Sequence, residues 1–265
     1  NTVAMWIDRE YYTSHISDGE KLIKMRRVLD KVEMVLSQHL VETTDFLDPY
    51  EVRLAKSILN RFDDLAYIEF GGYDDCERKI IVIYPSYLVI GDLTDYLSCI
   101  KVEGDLSDLS HKDYLGALLG LGITREKVGD ILVHNDYGFL IVKDEIGDFV
   151  LYNLEKIANK NVTTEGVTFD DIVVPALEYK EIQRSLTSLR VDLVISSVYN
   201  ISRKESMAII KRGSVKVNWE PIDKPSREIE VNDIVSVRGY GRFILHSIDG
   251  LSRKGRYMSS IRILI

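Results

Sequence analysis

Cysteine is scarce in this 265-residue chain: Cys76 and Cys99 are 23 positions apart, with no CxxC neighbour. That spacing gives neither a disulfide framework nor a zinc site, and a reducing cytoplasm is the expected compartment. Histidine is equally sparse, with His15, His39, His111, His134 and His246 standing singly. No P-loop or GxGxxG is present, and GLGIT at 120–124 follows a helical pattern rather than a strand. No metal or cofactor is therefore expected. The longest apolar runs, IIVIY at 80–84 and LGALLGLGI at 115–123, fall short of the roughly 18 residues a membrane span needs. The opening NTVAMWI has no signal-peptide pattern. Nor is there a Pro/Gly/Ser-rich linker, so the domains are expected to pack closely.

What the chain does have is charge, unevenly placed. The net is -8, with 45% of residues hydrophobic and 29% charged, a composition for one large core or two to three smaller ones. From Ile182 to Ile265 there are 15 Lys/Arg against 8 Asp/Glu, +7, while residues 1–181 hold 19 against 34, -15. A basic module with a polyanionic partner, attached to an acidic body, is the function class this asymmetry favours.

The patterns along the chain predict an α+β, multidomain protein. Apolar residues from Leu22 to Leu40 recur at three and four positions, and Asp48-Pro49 opens a second helix over 50–62, so residues 1–68 are expected as a helical part. A middle α+β domain is expected over 69–178. The run AYIEFGGYDDCERKIIVIYP reads as a strand pair, and YLVI at 87–90, LSCIKVEG at 97–104, GFLIVKD and GVTFDDIVVP read as further strands. Helices are expected in HKDYLGALLGLGI and EIGDFVLYNLEKI. The segment near 178–188 reads as the join to a last module over 182–265.

In that module Ser188 is placed to cap a helix through RVDLVISSVYN. Ser202 and Glu205 have capping-box spacing for a second helix, which Gly213 ends. At 100° per residue Ser206, Ile209 and Ile210 share one side; Lys204 and Lys211 lie opposite, flanked by Arg203 and Arg212. SVKVN then reads as a strand, KPSREIEVND as a turn and strand, and DIVSVRGYGRF as a third strand bearing Arg238 and Arg242.

The succession RVDLVI, SRKES, AIIKRGSVKVN and VNDIVSVRG resembles the S-four RNA-binding module, named for a small-subunit ribosomal protein, over roughly Leu186 to Ser247. Trp219 stands where that module usually has glycine after the strand Asn, so an altered turn is expected. With TDFLDPYE, EFGGYDDCERK, HKDYLGALLGLGITREKVGDILV, VNWEP and VRGYGRF, about residues 20–250 look like the YlmH family of bacterial RNA-binding proteins. The resemblance implies a helical N-terminal part, a middle domain over 69–178 like RNA-recognition folds and itself expected to bind RNA, and a C-terminal S-four module of two helices on a small sheet. It also implies binding to the large ribosomal subunit near ribosomal RNA and peptidyl-tRNA, a role in quality control of stalled translation, and a looser link to cell division.

Arg190, Arg203, Lys204, Lys211, Arg212 and Lys216, with Arg238 and Arg242, are the candidate RNA-binding residues, expected to grip phosphates of folded RNA. Asn218 is expected as a turn residue and Trp219 as packing. Asp192 in RVDL superficially resembles the catalytic Asp motif of pseudouridine synthases, but inside a helix its expected role is structural. Glu69, Asp74, Asp75 and Glu77 read as an exposed acidic turn. The expectation is a protein without catalysis; an RNA-modifying enzyme and a cell-division scaffold are the alternatives.

Overall fold

The computed structural model describes residues 6–265, so the opening NTVAM lies outside it. The chain is α+β and forms two units, one through Pro175 and one from Ala176 to Ile265. In the first, α1 (Arg9–Thr13) and α2 (Gly19–Gln38) precede β1 (Glu42–Thr43) and α3 (Pro49–Leu59). The Asp18 carboxylate caps α2, and Met25, Val28, Leu29, Val32 and Val35 form its buried stripe. Asp48 and Glu51 make a reciprocal capping box with Pro49 in the first turn of α3, which fixes its start. Both helices pack on an antiparallel sheet of order β1-β3-β2, from β2 (Leu65–Phe70) and β3 (Ile80–Pro85). β2 runs across the 68/69 position at which the helical part was expected to end.

The run IIVIY is apolar throughout because β3 is covered on both faces. Ile81 and Ile83 face the helices, and Ile80 and Val82 join Phe46, Leu97 and Ile141. The latter two belong to a second sheet, made of β4 (Leu97–Glu103), β5 (Val128–Val133), β6 (Tyr137–Lys143) and β9 (Thr163–Val167), with α4 (His111–Gly120) and α5 (Gly147–Asn153). Its order, β5-β6-β4-β9, with helices after the first and third strands, is the βαββαβ arrangement of RNA-recognition folds. A small hairpin of β7 (Lys156–Ile157) and β8 (Lys160–Asn161) precedes β9.

The second unit is an antiparallel sheet of order β10-β15-β14-β13-β11-β12. Its strands are β10 (Tyr179–Leu186), β11 (Val215–Val217), β12 (Glu220–Pro221), β13 (Ile234–Val237), β14 (Gly241–Leu251) and β15 (Tyr257–Leu264), with α6 (Val191–Tyr199) and α7 (Arg203–Lys211). Val194, Ile195, Val198, Ile209 and Ile210 of the helices meet Val217, Val235, Phe243, Leu245 and Ile261 of the sheet in one core.

Five local expectations are corrected. Residues 87–90 form no strand: hydrogen bonds from Ser86 to Asp64 and from Leu88 to Pro85 fold them into a turn, and Val89 is 98% exposed. GVTFDDIVVP is strand only through Val167, because Thr168 and Asp171 cap a single 3-10 turn. The 178–188 join is the edge strand β10, paired with β15 from Tyr179 to Leu186. KPSREIEVND contributes one bridge, Glu228 to Arg190, rather than a strand. DIVSVRGYGRF is two strands, β13 and β14, folded back on each other at residues 238–240.

Candidate nucleic-acid interface

Helix α7 is set by its own sequence. The Ser202 hydroxyl accepts the Glu205 N–H at 3.1 Å, and Gly213 follows the helix at φ +75°. The capping box is only half made, since Glu205 turns its carboxylate to accept the Tyr240 hydroxyl at 3.0 Å. Ile209, Ile210 and Ser206 are buried, and Ser206 donates to the Asp192 carbonyl at 2.7 Å, tying α7 to α6. Lys204 and Lys211 are exposed, as the helical wheel requires.

The eight candidate cations fall into three groups rather than one ridge. Arg190 and Arg203 converge on Asp192, whose side chain has no exposed surface. Arg190 holds both carboxylate oxygens at 3.0 Å and Arg203 reaches one at 3.3 Å. Lys204, Lys211, Arg212 and Arg238 are exposed and, among the described residues, have no carboxylate partner. The Arg238 N–H donates to the Ser214 carbonyl at 2.9 Å, so its turn abuts the end of α7. Lys216 and Arg242 lie elsewhere. The register Lys216↔Ser236↔Arg242 puts them on one sheet face, whereas Val217, Val235 and Phe243 point into the helix-covered core.

Trp219 keeps the turn that a glycine would make. Asn218 and Trp219 are the two residues between β11 and β12, both left-handed at φ +48° and +65°, as a tight hairpin of this hand needs. The altered turn expected from the missing glycine is thus corrected. Asn218 is the turn residue expected, donating to Asp233 and accepting the Ile234 N–H. Trp219 is half-buried with the Arg242 guanidinium 5.7 Å from its ring centre.

Two features went unread in the sequence. The turn SRKGR, between β14 and β15, exposes Arg253, Lys254 and Arg256, and the three cations around Gly255 were its signal. Tyr240, between Gly239 and Gly241 in VRGYGR, is an exposed ring beside α7.

The middle sheet offers a contrast. Its helix-free face carries Phe139 and Ile141 on β6 and Cys99 on β4, the central strands. Phe169, Ile172, Tyr73 and Phe46 cover that face, closing the platform on which RNA-recognition folds stack bases. Residues 92–171 hold seven Lys/Arg against sixteen Asp/Glu, net -9. Of the acidic turn, Asp74 and Asp75 are exposed, while Glu69 pairs with Lys56 and Lys79. Asp130 organises the same loop by accepting the Tyr73 hydroxyl and the Glu77 and Arg78 N–H groups at 2.7–2.9 Å. A Cβ on Gly71 would lie 2.3 Å from the Cys76 sulfur, so the loop needs glycine there. Burial pushes the Cys76 thiol up to about 11 and that of Cys99 to about 12, which leaves both poor nucleophiles.

Family models match three stretches of the chain, the first of them running past the expected 68/69 boundary. “YlmH, N-terminal” matches residues 20–88, “Putative RNA-binding domain in YlmH” 92–171 and “S4 domain” 189–235. The chain is similar to “Ribosome-associated protein quality control protein P2” of Bacillus subtilis (strain 168), 32% identical over 87% of this chain and 90% of that protein. Its fold is like the structure “Cell division protein ylmH from Streptococcus pneumoniae”, at TM-score 0.52 and 19% identity over 59% of this chain and 96% of that one. Three matches in family order, with a relative aligned along most of both lengths, show that the chain belongs to the YlmH family.

Proposed function

We propose that this chain is a non-catalytic RNA-binding protein of the cytoplasm. It associates with the large ribosomal subunit, contacts ribosomal RNA and peptidyl-tRNA, and serves quality control of stalled translation. The observation that carries the reading is the set of exposed cations at α7: among the described residues Lys204, Lys211, Arg212 and Arg238 have no carboxylate partner, in a chain with 42 Asp and Glu. In the first unit Arg9, Lys24, Lys31, Lys56, Lys127 and Lys160 have carboxylate partners, and the exposed cations without one among the described residues, such as Arg26, Arg61, Lys112 and Lys156, lie on separate elements rather than gathered at one helix. A surface that keeps its cations unpaired is suited to a polyanion, and the relative's name supplies the ribosomal context. Asp192 supports the absence of catalysis, because its carboxylate is buried and committed to two arginines. The three-part division fits this role: the basic module anchors, and the helical and middle parts, which are acidic, bear on something other than phosphate.

Sucrose-gradient sedimentation tests it, with wild type beside a Lys204→Ala, Lys211→Ala, Arg212→Ala, Arg238→Ala variant. Arg203 is left in place so that Asp192 keeps its counterion. Wild type is expected with large subunits and the variant near the top of the gradient. Equal migration of both with large subunits removes the anchor assignment. A wild type that never sediments with ribosomal particles removes the ribosomal reading.

A further inference from the structure

Resting on the RNA-binding reading, we infer that Tyr240 stacks on an unpaired nucleobase, so that the module reads a loop or bulge as well as the phosphates beside it. The residue is 38% exposed at the tip of the turn that joins β13 to β14. It is held from two directions. Its hydroxyl donates to Glu205 on α7 at 3.0 Å, and its flank meets Tyr199, centroids 5.1 Å apart and planes tilted by 47°. Tyr199 in turn lies edge-on to buried Phe243 at 5.9 Å, which connects the exposed ring to the core.

The surroundings of the ring are open and cationic. Gly239 and Gly241 flank it with φ of +87° and +115°, and a Cβ on Gly239 would meet nothing within 4 Å. Arg238 precedes it in the turn. Arg212 is near enough to act against the upward push that Glu205 exerts on the phenol. Trp219 is differently placed, since Arg242 already lies over its ring.

This combination suits one ligand chemistry. Bases in RNA loops and bulges are unstacked and find aromatic faces in proteins, whereas those of a duplex are already stacked on each other. A ring already fixed by Glu205 and Tyr199 gives up little conformational freedom on stacking. Arg238, two residues before Tyr240, and Arg212, at the end of α7, are the cations assigned to the flanking phosphates, which arginine grips bidentately.

The test is fluorescence anisotropy of the full chain with two labelled RNAs, a stem-loop with an open loop and a blunt duplex of the same stem. Tyr240→Ala and Tyr240→Leu are compared with Tyr240→Phe, the leucine retaining apolar packing on Tyr199. Both non-aromatic variants are expected to weaken stem-loop binding about 5- to 150-fold and to change duplex binding less than about twofold. Tyr240→Phe is expected to stay near wild type on both. Equal weakening of both RNAs by Ala and Leu, or of neither, overturns the stacking assignment and leaves the RNA-binding reading intact. A wild type that binds neither RNA overturns both.

Discussion

At the scale of single residues, Asp192 holds the basic module together where its cations would repel. Arg190 enters from the N-terminal end of α6 and Arg203 from the start of α7, and the same carboxylate serves both. Removing one member of a buried charge network leaves the others uncompensated, at about 3–5 kcal/mol. Here both arginines retain solvent, with side chains 33% and 52% exposed, so neither is left as a buried charge, and Asp192→Asn is expected to cost about 1.5–3 kcal/mol, the loss of its charge-assisted hydrogen bonds. Urea denaturation of the full chain measures it, with Lys204→Ala expected within about 0.5 kcal/mol of wild type as the surface control. Asp192→Asn unfolding at the control's midpoint would show the clamp idle. The pattern RVDL marked Asp192 and set aside catalysis. It did not mark the partnership with Arg203, because eleven positions and a helix break separate the two.

At the scale of elements, local signals were readable and distant ones were not. Helix α7 is bounded by Ser202 and Gly213 and patterned at three and four residues, all within one short stretch. β10 carries no such information: Ile182 pairs with Ile261, and only that partner makes YKEIQRSL a strand. YLVI failed the other way, having the composition of a strand and no neighbour to pair with. The candidate cations were therefore legible as residue types. Their separation onto α7 and the outer sheet face depends on the register of β11, β13 and β14. Trp219 also shows context overriding a local rule, because the hairpin imposes φ +65° on a residue with a Cβ, a conformation costing about 1–2 kcal/mol. Trp219→Ala keeps that strain and loses the ring over Arg242, whereas Trp219→Gly loses the ring and relieves the strain. The glycine variant is expected to be more stable than the alanine variant by about 1 kcal/mol in thermal or urea unfolding. An alanine variant as stable as the glycine variant would mean that the turn has relaxed.

At the scale of the whole molecule, the division between units is also a division of charge. Ala176 to Ile265 carries 16 Lys/Arg against 10 Asp/Glu, +6, and residues 1–175 carry 18 against 32, -14. A polyanion is attracted by the first and repelled by the second, and salt weakens both effects. They nevertheless differ in form, since cations that neutralise phosphates release counterions and give log Kobs a linear dependence on log salt, about -0.7 per contact on single strands and about -0.9 on duplex. Lys127 already bridges Asp45 and Glu145, so its charge is balanced by the protein's own carboxylates before any phosphate arrives. Across a salt titration of RNA binding, Lys127→Ala is therefore expected to leave the slope unchanged. The Lys204, Lys211, Arg212 and Arg238 variant is expected to flatten it by roughly 3 if each grips one phosphate. Arg253, Lys254 and Arg256 sit at the far end of β14, about 35 Å along the strand from the turn at 238–240 by the usual rise per residue. Substituting them should leave the slope for a short stem-loop unchanged and flatten it only for RNA long enough to reach both ends. Flattening with the short RNA would mean that it binds along the strand rather than at α7.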